Sequence, residues 1–363
     1  MENRYSFTDL SQLDFVWEAD GRKGKAHLSL APAARGELEI PIRKGTPQGT
    51  TLLVRAVRSG SEVVNATFFL GKRELSPLPQ PQAGAPKRSD DGKHTVIEGN
   101  GFSLVLDRAT GDFDAANPKH KAPIVGFPTL HVTRHDFGDL EGYTKEKKKL
   151  PYAELPDTKT RVVESVTVTQ SGEGLEIIVK DHYTNFAGAV HWFIDKEGVG
   201  KVSYDYTYTG DALDSRELGL KALLPAKCDE VKWRRWSEWG IFPKDSISRT
   251  EGTAKARRDK KWPDQPANVK PAWPWSQDQT ELGTADFRSI KFCIYEASLV
   301  APDGSGVRVE ANADAHFRSC LTKDGVMMHL LNQCPLVQVV LKKGDRLTGQ
   351  FAVRLVEKRN LNL

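Results

Sequence analysis

Lys201-Val202-Ser203-Tyr204-Asp205-Tyr206-Thr207-Tyr208 decides the fold. Successive side chains of a strand point to opposite faces. Val202, Tyr204, Tyr206 and Tyr208 therefore share one face, and Lys201, Ser203, Asp205 and Thr207 share the other. Such alternation predicts a half-buried strand. Arg161–Thr169, Leu175–Asp181, Val190–Ile194, Ser289–Ala297, Val326–Leu331, Leu336–Leu341 and Gly349–Leu355 also read as strands. Their separators carry turn residues, as in Pro302-Asp303-Gly304, Lys323-Asp324-Gly325 and Lys343-Gly344-Asp345. Helical periodicity over a dozen residues is hard to find. Many short strands at regular spacing predict an all-β sandwich architecture.

The chain has 363 residues, enough for two or three domains. Pro77–Pro86 is rich in proline, and the polar stretch Lys87–Lys93 follows it. Proline-rich chain is extended and semi-rigid and builds no core. Residues 77–93 therefore read as a linker between a domain over 1–76 and another over 94–363. The first shows candidate strands at Asp14–Glu18, Lys25–Leu30, Gly36–Ile40, Thr51–Val57 and Val63–Leu70, which fits a small immunoglobulin-like sandwich. The second is too long for one simple sandwich and predicts a large two-sheet super-sandwich.

Net charge is +4, with acids interleaved among the bases. The densest basic runs, Lys145–Lys149 and Arg257–Lys261, each contain an acid, and Asp90-Asp91 reads as a solvated pair. No nucleic-acid partner is expected. No stretch of about 18 apolar residues occurs, so no membrane partner is expected either. Met1–Tyr5 lacks the basic and apolar regions of a signal peptide; the compartment stays open. Cys228, Cys293, Cys320 and Cys334 form no CxxC motif, and the last three sit among apolar neighbours that predict buried free thiols. No cofactor motif is present. His131 and His135 share one face of a predicted strand, and His182 and His191 flank a strand pair. That spacing favours neither zinc nor a catalytic pair.

Four segments, in order, resemble the C-terminal region of glycoside hydrolase family 2 β-galactosidases. Asn3-Arg4-Tyr5-Ser6-Phe7-Thr8-Asp9-Leu10, leading to Trp17-Glu18, looks like the opening of the immunoglobulin-like domain that follows the catalytic barrel. Gly99–Gly111 is similar to the first hairpin of the family's small-chain domain. Glu217-Leu218-Gly219-Leu220 through Leu224-Pro225, then Val231-Lys232-Trp233, resembles its central strands. Pro274–Gly283 with Asp286-Phe287-Arg288 resembles a later motif. The resemblance covers essentially the whole chain. It implies an immunoglobulin-like sandwich, then a galactose-mutarotase-like β-super-sandwich. The family's Gly-Arg-Gly-Pro loop is replaced here by Arg235–Pro243, and its late Asp-x-Ser-Trp segment has no counterpart.

Retaining glycosidases need two carboxylates about 5–5.5 Å apart. In family 2 both come from a (β/α)₈ barrel of ~250 residues of alternating strand and helix, a pattern that does not fit in this chain. The expectation is a non-catalytic C-terminal part or small subunit, with a catalytic barrel and carbohydrate as partners. Six of eight tryptophans fall in Trp233–Trp275. Aromatic faces stack on sugar C–H groups, and polar neighbours satisfy hydroxyls. Candidate sugar contacts are Trp236, Trp239, Trp273 and Trp275, with Arg235, Glu238 and Gln279; alternatively these tryptophans pin long loops. A free carbohydrate-binding protein and a mutarotase-like sugar enzyme are the competing readings.

Overall fold

The computed structural model describes residues 1–71, 77–135, 152–155, 158–236, 250–257, 275, 289–333 and 339–356. These form two compact units, one built on Met1–Pro77 and the other on Leu78–Trp236 and Glu251–Leu363. Both are built of β-strands, with short 3-10 turns at Leu10–Gln12 and Thr158–Thr160, and no helix among the described residues is long and apolar enough to cross a membrane.

In the first unit, β1 (Asp14–Ala19), β2 (Arg22–Ala26), β3 (Thr51–Arg58) and β4 (Ser61–Phe69) form an antiparallel sheet ordered β2-β1-β3-β4. Two-residue turns close both hairpins. Asp20-Gly21 and Ser59-Gly60 have positive φ at both positions, the geometry that matches strand twist. Phe15, Trp17, Leu52, Val54 and Ala56 form the buried face. Trp17 lies directly opposite Gly24, where any Cβ would meet its indole at 2.5 Å; the glycine makes room for the ring.

Residues 27–50 depart from the expected strands Lys25–Leu30 and Gly36–Ile40. Leu28, Leu30, Leu38, Ile40 and Ile42 alternate and pack on the sheet, but they join no ladder beyond the Glu2–Arg35 bridge. Apolar alternation is enough for burial. A ladder also needs donors in register, and Pro32, Pro41 and Pro47 remove theirs.

The second unit opens with β5 (Lys87–Asp90), β6 (His94–Glu98), β7 (Ser103–Asp107) and β8 (Asp112–Phe113), a small meander sheet. Next come β9 (Thr129–His135), β10 (Tyr152–Leu155), β11 (Val162–Gln170), β12 (Leu175–Tyr183), β13 (Phe186–Ile194), β14 (Val199–Tyr208), β15 (Leu213–Leu224), β16 (Glu230–Arg235) and β17 (Glu251–Lys255). The chain finishes with β18 (Ile290–Lys291), β19 (Ile294–Val300), β20 (Gly306–Glu310), β21 (His316–Leu321), β22 (Val326–Gln333), β23 (Val339–Leu341) and β24 (Arg346–Val356). A nine-stranded sheet runs β11-β12-β13-β14-β24-β20-β19-β16-β17. A seven-stranded sheet runs β10-β9-β15-β22-β21-β18, with β23 also on β15. Leu220, Met328 and Leu330 of one sheet and Trp192, Val202, Val307 and Val353 of the other line one shared cavity of only about 10 Å³. Such a void holds at most one water, so the two faces are closely packed. On β14, Val202, Tyr204, Tyr206 and Tyr208 are all buried, as their parity predicts.

Two expectations are corrected. Residues 77–93 are no free linker. Asp195, 2% exposed, accepts the Gln82 and Ala83 amides at 3.1 Å on one oxygen, and those of Glu197 and Val199 at 2.9 and 3.0 Å on the other. β5 then pairs with β6, and Asp90 accepts the Thr95 hydroxyl and pairs with Arg88. Secondly, Ser289–Ala297 is not one strand. It breaks at Cys293, whose φ is 51°, and the chain passes from the seven-stranded sheet to the nine-stranded one.

Candidate functional site

β9, β15, β22, β21 and β18 lie side by side, and their register builds a polar face. Thr129, Lys221, His329, Arg318 and Ile290 fall opposite one another in a single cross-strand row. His131, Gly219, Leu331 and His316 form the next row, and Thr133 lies opposite Glu217 in the one after. Leu130, Leu220 and Leu330, one residue out of step, point to the core. Alternation thus gives the sheet one apolar and one ionisable face.

His131 Nε2 lies 2.9 Å from Glu217 Oε2, and Arg318 donates to Glu217 Oε1. His131 is 2% exposed and Glu217 0%; Arg318 and His329 are also buried. The His131 and His329 rings are 4.4 Å apart. Thr133 Oγ1 accepts the Glu217 amide. A carboxylate this deep is stable only with charged partners and hydrogen bonds. Here it has both an imidazole and a guanidinium. Chemically, the arrangement can hold a proton between Glu217 and His131 with Arg318 fixing the negative charge. Burial pushes the nearby His316 imidazole below its ordinary pKa, so it is neutral at pH 7; its Nδ1 accepts the Cys293 amide at 3.0 Å.

The tryptophan-rich stretch begins beside this face. Trp233 is buried opposite Gly252, where a Cβ would meet the indole at 2.6 Å. The buried Lys291 ammonium sits 4.6 Å above the same ring, a cation–π contact. Trp236 is 40% exposed, and its amide donates to Cys293 O. Arg235 is half-buried, and desolvation lowers its pKa. Of the expected sugar contacts, Arg235 and Trp236 are thus adjacent at the end of β16, with Trp236 open to solvent. Trp275 is different: it is fully buried, and its Nε1 donates to Asp229 O at 2.8 Å. No ring face is left for a sugar, so it pins the chain. Trp239, Trp273, Glu238 and Gln279 lie outside the described residues.

The sequence singles out His131 by its strand position and gives no such signal for Glu217, Arg318, His329 or Lys291. Glu217 opens a segment of the family resemblance, but nothing local marks it as buried. The His135 side chain lies outside the described residues. His182 and His191 pair with Glu164 and Glu176 at 3.0 and 3.4 Å. Among the described residues no group of His, Cys, Asp and Glu could hold a metal ion. Cys228 is fully buried, whereas Cys293 and Cys320 are only half-buried, short of the expected burial; Cys334 lies outside the described residues.

No protein-family model and no curated protein matches the chain. Among solved structures, it is similar to an aldose 1-epimerase-type protein of Escherichia coli K12, with 8% identity, 74% of this chain and 98% of that one covered, and a TM-score of 0.34. A TPR-domain protein of Parabacteroides distasonis gives 8% identity, 99% and 54% coverage and a TM-score of 0.35. A 4-α-glucanotransferase of Thermococcus litoralis gives 11% identity, 75% and 40% coverage and a TM-score of 0.32. The chain spans about half or less of the last two. At these values the likenesses bear on neither activity nor ligand.

Proposed function

We propose that the chain is a non-catalytic carbohydrate-associated module, the C-terminal part or small subunit of a family 2 β-galactosidase-like glycosidase, which docks on a catalytic barrel. Phe7 carries the reading. It lies in the segment that resembles the domain opening after a barrel, and it is 95% exposed. The loop bearing it is fixed. Asn3, 1% exposed, donates to Thr8 O and Leu30 O at 2.8 Å and accepts the Tyr5 amide, and Asp9 accepts the Ser11 and Leu30 amides. A rigid loop that holds an aromatic ring in water suits a surface completed by another domain. Burying a phenylalanine contributes about 1.5–3 kcal/mol, or roughly 10- to 100-fold in affinity. The test mixes this chain with a family 2 β-galactosidase truncated after its barrel and measures association by sedimentation. Phe7→Ser should weaken association by at least about tenfold. Equal association of both forms, or none by either, removes the reading.

The His131–Glu217 pair favours a second reading, mutarotase-like ring opening of an aldose, in which a base takes the proton of the C1 hydroxyl while an acid gives one to the ring oxygen, the C1–O5 bond breaks, and both proton transfers reverse on re-closure. Polarimetry on freshly dissolved α-D-galactose tests it. A rate equal to that of buffer alone eliminates it.

A further inference from the structure

β20 stops at Glu310, opposite Ala352, whereas β24 runs on to Arg346. Among the described residues no strand continues on that side of β24, so the nine-stranded sheet has a notch. A cavity of about 100 Å³ occupies it. Leu78, Pro79, Ala311, Ala315, Phe351 and Ala352 supply apolar wall, and Lys201, Glu310, Asp314, Asn332 and Gln350 supply polar groups.

The polar groups are placed by the ladder. Lys201 and Glu310 both lie opposite Ala352, one on each side. The small side chain between them leaves the space open, and neither makes an ion pair among the described residues. Asn332 reaches in from β22, its Oδ1 accepting the buried Tyr204 hydroxyl at 3.0 Å. That bond commits the oxygen and leaves Nδ2 as a donor to the cavity. The seat is exact: a Cβ at Gly349 would come within 1.9 Å of Asn332 Oδ1. Asp314 accepts the Asn312 amide. It follows Ala313, whose φ of 66° is a strained conformation for a residue with a Cβ, held by the hydrogen bond its amide donates to Ile294 O. Strain of this kind clusters at binding sites. Burial raises the Glu310 carboxyl above its ordinary pKa, and Arg354 opposes the shift.

We propose that this notch is a subsite for one terminal sugar ring, held by Glu310, Lys201 and Asn332. Hydroxyl groups both donate and accept. The notch offers acceptors at Glu310 and Asp314, donors at Lys201 and Asn332 Nδ2, both at Gln350, and alanine walls for the C–H face, the mixture a small polar ligand needs. A cavity of ~150 Å³ accommodates a benzene ring. This one is smaller and open, so a ring enters partway, as a chain end does. The choice of sugar as ligand class rests on the carbohydrate association proposed above; the notch itself does not.

Calorimetric titration of the whole chain with methyl β-D-galactopyranoside and methyl β-D-glucopyranoside tests the subsite. The expected result is millimolar binding of at least one glycoside, weakened about tenfold by Glu310→Gln and by Lys201→Ala, since hydrogen bonds to charged groups are the strong ones. Both residues reach solvent, and circular dichroism confirms that the variants fold. Binding unchanged in both variants overturns the notch and leaves carbohydrate association standing elsewhere on the chain. No binding of either glycoside overturns the notch, while docking on a barrel is decided separately by the sedimentation experiment.

Discussion

Glu217→Gln is the sharpest single perturbation of the polar face. The amide keeps the size of the carboxylate and removes its charge. Glu217 is 0% exposed, with His131 on one oxygen and Arg318 on the other. After substitution the Arg318 guanidinium stays buried beside a neutral amide, whose NH₂ must face either the guanidinium or the imidazole. Removing one partner of a buried ion pair costs about 3–5 kcal/mol. Leu218→Ala, a half-buried neighbour on the opposite face, is the control. Urea unfolding followed by tryptophan fluorescence is the assay, because Trp233 and Trp192 are buried in the same unit. With m near 3 kcal/mol/M at the upper end for small proteins, the midpoint should fall by about 1 M or more. Glu217→Gln within about 0.5 kcal/mol of the parent, the range of ordinary surface changes, would refute the assignment of Glu217 as the charge that holds this face together.

Other outcomes follow from the same geometry. Asp195→Asn should cost about 3–6 kcal/mol, because two of four charge-assisted bonds are lost at ~1.5–3 kcal/mol each, and should speed amide exchange at Gln82 and Ala83; unchanged exchange there would show that the Asp195 clasp does not hold the segment. Trp275→Ala should destabilise by about 3–5 kcal/mol as a buried truncation, while the half-exposed Trp236→Ala should stay within about 1 kcal/mol, as calorimetry can check. Burial pushes the Cys228 thiol up to about 11, so it should resist alkylation at pH 8, where under about 1% is thiolate. The folded thiol keeps its proton where the unfolded one has lost it, so this group makes stability fall as pH rises from about 9 to 11; rising stability over that window would contradict the burial.

The polarity of Lys201–Tyr208 is legible because its alternation is complete and its parity has no exception. Residues 27–50 show what alternation leaves out. The pattern reports which side chains are buried, and a ladder depends on donors and partners elsewhere in the chain. The Pro-rich segment was opaque for a similar reason. Nothing within 77–93 announces that Asp195, more than a hundred residues away, takes two of its amides. Glu217 illustrates the limit at the site. An acid that follows Asp214-Ser215-Arg216 in a strand reads as solvent-facing, and only its burial beside His131 and Arg318 shows otherwise. The cavity beside Glu310 arises from unequal strand lengths, which no local pattern records.

Hydrolysis of o-nitrophenyl β-D-galactopyranoside by the purified chain tests the central claim most directly. The account predicts no turnover above a heat-treated control, because the proposed module leaves both catalytic carboxylates to the barrel it docks on. Turnover well above that control, abolished by changing a single Glu or Asp of this chain, would contradict it.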